Sequence, residues 1–468
     1  MGFAVLIIID ILMRSRHLRA FYTDWGAFPR SVAADYYSSD WVWSLYMISG
    51  HWSFVAGMFA ITIALAVALF FGYRTRLVAF LLWVLTASIH TRNPLILQSG
   101  DGLLRVMLFW SLFTPLGTVL ALDSRPATPM RQGRVLSLAT LAMTVQLLMM
   151  YVMTALLKTG EEWRIDGTAV YYALQLDQYS KPLGDWLLQF PTLLRFLTHA
   201  TLAIEMLIPV LFLFPVFNFF TRTVGILLMI GFHLGITATL DVGLFSWIAV
   251  VALLTFLPTP VWNALEQVLM RQRIAFIRSS FALNLSAGLD HKGPGRKVFP
   301  KVRKQVETVL VGALLIYVCL WNIRALPDTD MSLSSDVGMA LRLDQGWGMF
   351  APKPATHDGW FVIPAQLRGG RELDLRTGEA VTLERPSDLS AMFSGERELK
   401  VLRRFLSSDN DEYTLHYGKY LCRNWNSVHN GDELLERFQI HYMREKTLPN
   451  YGIPEIEKVT IWRHKCFK

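Results

Sequence analysis

The sequence predicts a mainly α fold: a polytopic membrane helix bundle of about eight or nine spans, followed by a small extracytoplasmic α+β domain. Three observations carry this expectation. Of the 468 residues, 53% are hydrophobic and only 18% are charged, and the mean hydropathy of +0.34 exceeds that of ordinary soluble domains. Apolar windows of about 20 residues, the length that crosses a bilayer, recur along the chain. From residue 326 onward the composition becomes that of a soluble domain.

Taken in order, the run Gly2 to Met13 is short for a full span, and no small-residue cleavage site follows it. It reads as a first membrane segment rather than a signal peptide. Further windows fall at 54–73, 77–90, 103–121, 135–157, 198–218, 223–239, 242–257 and 307–323. With a cytoplasmic start, the inside loops carry Arg74 and Arg76, then Arg125, Arg131 and Arg134, then Arg222. The loop 258–305 adds Arg271, Arg273, Arg278, Lys292, Arg296, Lys297, Lys301, Arg303 and Lys304, the strongest positive-inside signal in the chain. Arg14, Arg16, Arg19 and Arg30 then lie outside, against that rule. Lysines and arginines in inside loops account for the formal charge of +8, so no nucleic-acid partner is predicted.

In this layout Lys158, the loop 90–102 and everything after about residue 325 share the extracytoplasmic side. Trp41, Trp43, Tyr46, Trp52, Trp163, Tyr171 and Tyr172 flank the spans there, as interfacial aromatics do. Within residues 326–468, "WFVIPAQLRGGRELDLRT" alternates around Gly369 and Gly370 and predicts a β-hairpin. "DELLERFQIHYMREK" suits either a helix or a strand. Cys319 lies in an apolar stretch, whereas Cys422 and Cys466 would lie in an oxidising compartment, where a disulfide between them is expected.

Ionisable and polar residues inside or beside spans are costly and mark function or pairing. Here they are Asp10, Asp24, His90, Arg92, Asn93, Asp101, Arg105, Lys158, His199, Glu205, His233 and Asp241. Lys158 follows residues 135–157, which carry no charge. It is either an interfacial lysine reaching the headgroups or an amine kept neutral by an apolar pocket, able to act as a base. Glu161, Glu162 and Asp166 stand nearby and would hold it protonated if they faced it; Arg164 is positioned to occupy one of them. Glu205 is expected to pair with a cation such as Arg105, and Pro209, four residues on, to kink the helix and open a cavity. His233 is a proton carrier or a packing residue. The dispersed histidines give no metal site, and no nucleophile elbow, P-loop or dinucleotide fingerprint occurs in a suitable context.

Four stretches, "DILMRSRHLRAFYTDWGAFPR", "RNPLILQSGDGLLRVMLFWSLFTPLG", "LLKTGEEWRIDGTAVYYAL" and "FHLGITATLDVGLFSWIAVVALLTFLP", together resemble the HTTM family. That is the membrane domain related to vitamin K-dependent γ-glutamyl carboxylase, and the resemblance covers about residues 1–325. It implies that Lys158, matching the family's lysine between a membrane helix and a tryptophan-containing acidic turn, is the base acting on reduced vitamin K or a menaquinone-type quinol. O2 and CO2 would be co-substrates if glutamate is carboxylated. Asn93, Asp101, Arg105, Trp163, Glu205 and His233 would support the pocket. The resemblance departs in the C-terminal part, much smaller here than in the animal carboxylases, which leaves the macromolecular substrate open. "QGWGMFAPKPATHDGWFV" resembles a stretch that follows the domain in bacterial members, some of which help mature secreted peptide toxins.

The leading expectation is therefore an enzyme of the bacterial inner membrane that uses Lys158 on a lipid-borne quinol, coupled to modification of an exported peptide or protein. The runner-up is a non-enzymatic membrane protein for peptide maturation or binding. A transporter is disfavoured, because neither an inverted repeat nor paired broken helices are evident.

Overall fold

Apolar runs without a competing period-2 pattern fold as helices, and the computed structural model shows where they stop. It describes the chain apart from residues 38, 119–120, 124–136, 266, 269–299, 387, 390–391, 394, 408–410, 449–451, 453–454 and 468. Most of the arginine- and lysine-rich loop 258–305, and Arg125, Arg131 and Arg134, lie outside the described residues.

The first part comprises α1 (Gly2–Ser15), α2 (Leu18–Tyr22), α3 (Arg30–Asp35), α4 (Trp52–Phe71), α5 (Thr75–Arg92), α6 (Ser99–Ser111) and α7 (Leu138–Leu157). It continues with α8 (Glu161–Arg164), α9 (Ala169–Leu174), α10 (Pro182–Leu187), α11 (Pro191–Leu213), α12 (Asn218–Thr239), α13 (Phe245–Leu253) and α14 (Pro300–Ile323). Local chemistry sets several ends. Gly72 at φ 70° closes α4 in the left-handed region, a conformation costly for residues with a Cβ. Gln98 and Asp101 form a reciprocal cap at the start of α6, and prolines open α10 and α11, where a missing N–H costs nothing.

Five described helices are long and apolar enough to cross a membrane: α4, α7, α11, α12 and residues Lys304–Ile323 of α14. Phe245–Phe256 and Thr259–Leu265 make a sixth only if this pair, bent by 108°, counts as one span. The expected eight or nine spans are thus not confirmed. Helices α1 and α6 have 14 and 13 residues, and α5 carries Arg76, His90 and Arg92. Nearly every residue of α6, and most of α5 from Val78 onward, is buried among the other helices. An apolar helix enclosed by protein has the same composition as one facing lipid, so hydropathy alone overcounts spans.

Beyond α14 come α15 (Asp336–Ala340), β1 (His357–Val362), β2 (Pro364–Leu367), β3 (Glu372–Asp374), α16 (Glu396–Ser407), α17 (Asp411–Asn426), β4 (Leu435–Lys446) and β5 (Ile456–Lys465). β2 and β3 are the expected hairpin, and the ambiguous segment is the strand β4. β1 and β2 follow one another along one side of β4, and β5 covers its other side, all antiparallel. Cys422 of α17 and Cys466 after β5 form a disulfide with a Cα separation of 5.5 Å.

The two parts share one hydrophobic core. Leu343, Trp347, Phe361 and Leu402 belong to the same buried cluster as Leu104, Leu147 and Phe245. Gln146 of α7 donates to Gln345 Oε1 at 2.6 Å, while Trp321 of α14 donates to the Gln345 carbonyl at 2.9 Å. Leu138 meets Gly312, and further along both helices Gln146 and Trp321 meet at Gln345, so α7 and α14 run in the same direction. Lys158 and the C-terminal part lie at the same end of the bundle, where Trp163 and Gly160 bond Phe350 and Pro352.

Candidate active site

α7 places Tyr151, Thr154 and Lys158 on one face, at spacings of three, four and seven residues. All three line a cavity of about 660 Å³ bounded by α7, α9, α11, α12, the segment Gly348–Phe350 and α16. Lys158 is only 3% exposed. Its Nζ donates to both oxygens of Glu205, at 2.7 and 2.8 Å, and lies 4.5 Å from the centre of the Trp163 ring. Glu205 comes from α11, one turn before Pro209, and is equally buried.

Lys158 therefore does not reach for the headgroups, and Glu205 pairs with it rather than with Arg105. The neighbouring carboxylates do not compete. Glu161 and Asp166 are exposed, and Glu162 faces Lys353 at 3.4 Å. Arg164 occupies none of them; its Nε donates to the Lys158 carbonyl at 2.9 Å and satisfies the end of α7. The C-terminal part completes this wall: Trp163 donates to the Phe350 carbonyl at 2.8 Å, and Gly160 N–H to the Pro352 carbonyl at 2.9 Å.

His233 of α12 also lines the cavity, with Nε2 2.9 Å from the Tyr151 hydroxyl. Its Nδ1 is buried with no partner among the described residues. Phe232, Phe245, Ile204 and Met349 supply apolar surface around these groups.

Three residues expected at the pocket stand elsewhere. Asn93 holds a turn, donating to the Phe21 carbonyl at 3.0 Å and accepting from Leu95 N–H at 3.1 Å. Arg105 donates to the Arg342 and Asp344 carbonyls and pairs with the Asp344 carboxylate at 3.1 Å. Asp101 belongs to a buried ionic cluster. Arg14 pairs with Asp10 at 2.7 Å and Asp101 at 2.5 Å; Arg397 of α16 pairs with the same two carboxylates at 2.7 and 3.1 Å. All four carboxylate oxygens accept from guanidinium N–H groups. His90 lies 3.6 Å from Asp101, so Asp10, His90 and Asp101 converge as metal ligands would. The two arginines already supply the positive charge there.

The HTTM domain model matches residues 1–262, more than half of the chain. The chain belongs to the HTTM family. This domain is found in vitamin K-dependent carboxylase-like proteins, which fits an integral membrane protein with apolar helices. No curated protein and no solved structure gives a significant match. The HTTM match covers Lys158, Trp163, Glu205 and His233, whereas the segment Gly348–Phe350 and α16 fall beyond it. Sequence reasoning missed Tyr151, Met349, Phe350, Lys400 and Arg403. The first is an ordinary core residue by composition, and the others lie over 190 residues from Lys158, with no spacing signal to connect them.

Proposed function

We propose that this HTTM protein is a membrane enzyme in which Lys158, paired with Glu205, acts as the base on a reduced quinone of the vitamin K or menaquinone type. One observation carries the reading: a buried lysine–carboxylate pair lines a mainly apolar cavity large enough for a small amphiphile. The residues suit such a ligand. Aromatic walls from Trp163 and Phe232 match a flat ring, and the unpartnered His233 Nδ1 offers a second polar contact.

Bound there, a reduced quinone would supply a ring hydroxyl whose deprotonation activates the ring toward oxygen. Lys158 takes that proton at Nζ. Proton transfer along the 2.7 Å hydrogen bond converts ammonium and carboxylate into amine and carboxylic acid, removing two charges that are costly to desolvate. The amine lone pair is the basic site. After protonation, Glu205 and the Trp163 face stabilise the ammonium. Apolar side chains keep water from intercepting reactive species.

Coupling to glutamate carboxylation, with CO2 as co-substrate, or to another modification of an exported peptide, is part of the same proposal, as is an extracytoplasmic site in a bacterial inner membrane. Purified protein in lipid should convert reduced menaquinone or vitamin K to its epoxide under oxygen, and Lys158→Ala should abolish this. Intact, folded protein without turnover of either quinol would instead favour a role in peptide binding or maturation.

A further inference from the structure

The cavity has a second polar wall. α16 presents Glu396, Arg397, Lys400 and Arg403 to it, at spacings that place them along one helical face. Two of the four are satisfied. Arg397 is bound by Asp10 and Asp101, and Glu396 accepts from Gln98 Nε2 at 2.8 Å.

Lys400 and Arg403 differ. Among the described residues, neither has a direct ion-pair or hydrogen-bond partner, and Arg403 lies 5.4 Å from the centre of the Tyr179 ring. Lys400 is partly buried, and that burial lowers its pKa. Asp101 and Glu396 act on Lys400, and Asp358 on Arg403, without direct contact. A partly desolvated cation with no direct ion-pair or hydrogen-bond partner is poorly compensated, and an anion entering the cavity relieves it.

The position of these cations narrows the ligand. They line the same cavity as Lys158, which caps the apolar helix α7, and so sit at the level where a span ends. Away from them the wall continues along α11 and α12 through Leu197, Ile204 and Ile236. The outer faces of those helices expose Phe196, Leu207, Leu227 and Leu234, as lipid-facing helices do. Charged groups at the boundary beside an apolar slot suit a molecule with an anionic head and an alkyl body.

We propose that Lys400 and Arg403 form a subsite for the anionic headgroup of a membrane amphiphile, whose apolar chain occupies the cavity between α11 and α12. The recognised chemistry is a phosphate or carboxylate anion on an alkyl chain. This assignment does not depend on quinol chemistry, and it is read by binding rather than turnover.

The full-length protein in phosphatidylcholine nanodiscs would be titrated with short-chain phosphatidylglycerol, short-chain phosphatidylcholine or myristate, with Tm recorded throughout. Phosphatidylglycerol should raise Tm, since a ligand of the folded state stabilises it. Half-saturation should move by about tenfold or more in Lys400→Gln/Arg403→Gln, while Lys400→Arg/Arg403→Lys retains the response. Myristate matching phosphatidylglycerol would identify any lipid anion as sufficient, and a response to phosphatidylglycerol alone would identify the phosphate; both support the subsite. Equal stabilisation by phosphatidylcholine, unchanged half-saturation in the glutamine variant, or a response to an acidic peptide but to neither lipid anion would overturn it. If the double variant does not fold, Lys400→Gln alone is judged by the same criteria.

Discussion

Lys158 and Glu205 meet between α7 and α11 with one ammonium donating to both carboxylate oxygens, at 2.7 and 2.8 Å, and neither side chain is more than 4% exposed. Removing one partner leaves the other buried without a counter-charge. Lys158→Ala or Glu205→Ala should therefore cost about 3–5 kcal/mol of stability, while Lys158→Met/Glu205→Leu should recover much of that loss without restoring epoxidation. Thermal unfolding in detergent beside quinol turnover separates the two effects. A double variant as unstable as the singles would contradict an isolated pair.

Arg397 ties α16 to the membrane part through Asp10 and Asp101, and it is 6% exposed. Arg397→Ala would leave two buried carboxylates to share Arg14. A loss of about 3–5 kcal/mol is expected, with faster hydrogen exchange in α16 and in α1 than in β4. Uniform exchange rates across these elements would mean that the cluster does not hold α16 in place.

Burial pushes the Asp358 carboxyl up to about 7, and its Oδ1 has no hydrogen-bond partner among the described residues. Glu396 is likewise pushed up to about 7, first by burial and also by the nearby Asp101 and Asp241. In the unfolded chain such groups titrate near about 4, so between those values the folded state holds more protons. Their stabilising protonation is complete below the unfolded value and is lost as pH rises through about 7. Asp358→Asn and Glu396→Gln should each flatten the fall in Tm between about pH 4 and 7; a slope identical to wild type would refute the assignment for that residue.

The Cys422–Cys466 disulfide closes a loop with a sequence separation of 44. By loop entropy, opening it should cost about 4 kcal/mol. Maleimide should modify both thiols only after reduction. For topology, cysteines introduced at exposed Glu161 and exposed Val428 should react with an impermeant reagent from the same face of intact vesicles, because Lys158 and the C-terminal part share one end of the bundle. Reaction from opposite faces would exclude that arrangement.

Much of the architecture was legible because its signals are local. Long apolar windows marked α4, α7, α11, α12 and α14, and alternation around Gly369 and Gly370 marked the hairpin of β2 and β3. Lys158 stood out as a charge ending an uncharged run, Glu205 as a carboxylate within one, and ordered motifs identified the HTTM family. The span count was less legible, because α5 and α6 owe their apolar composition to burial in protein.

Partners were not legible at all. Glu205 could have met any intramembrane cation, and only the crossing of α7 and α11 selected Lys158 over Arg105. Asn93, Asp101 and Arg105 lie in motif-bearing stretches yet serve a turn, an ionic cluster and a backbone clamp. The sequence by itself determined an HTTM membrane protein with one suspicious lysine. Tertiary structure decided what surrounds that lysine, because pairing, desolvation and cavity shape come from side chains brought together across long separations, and helical periodicity carries no record of which helix becomes the neighbour.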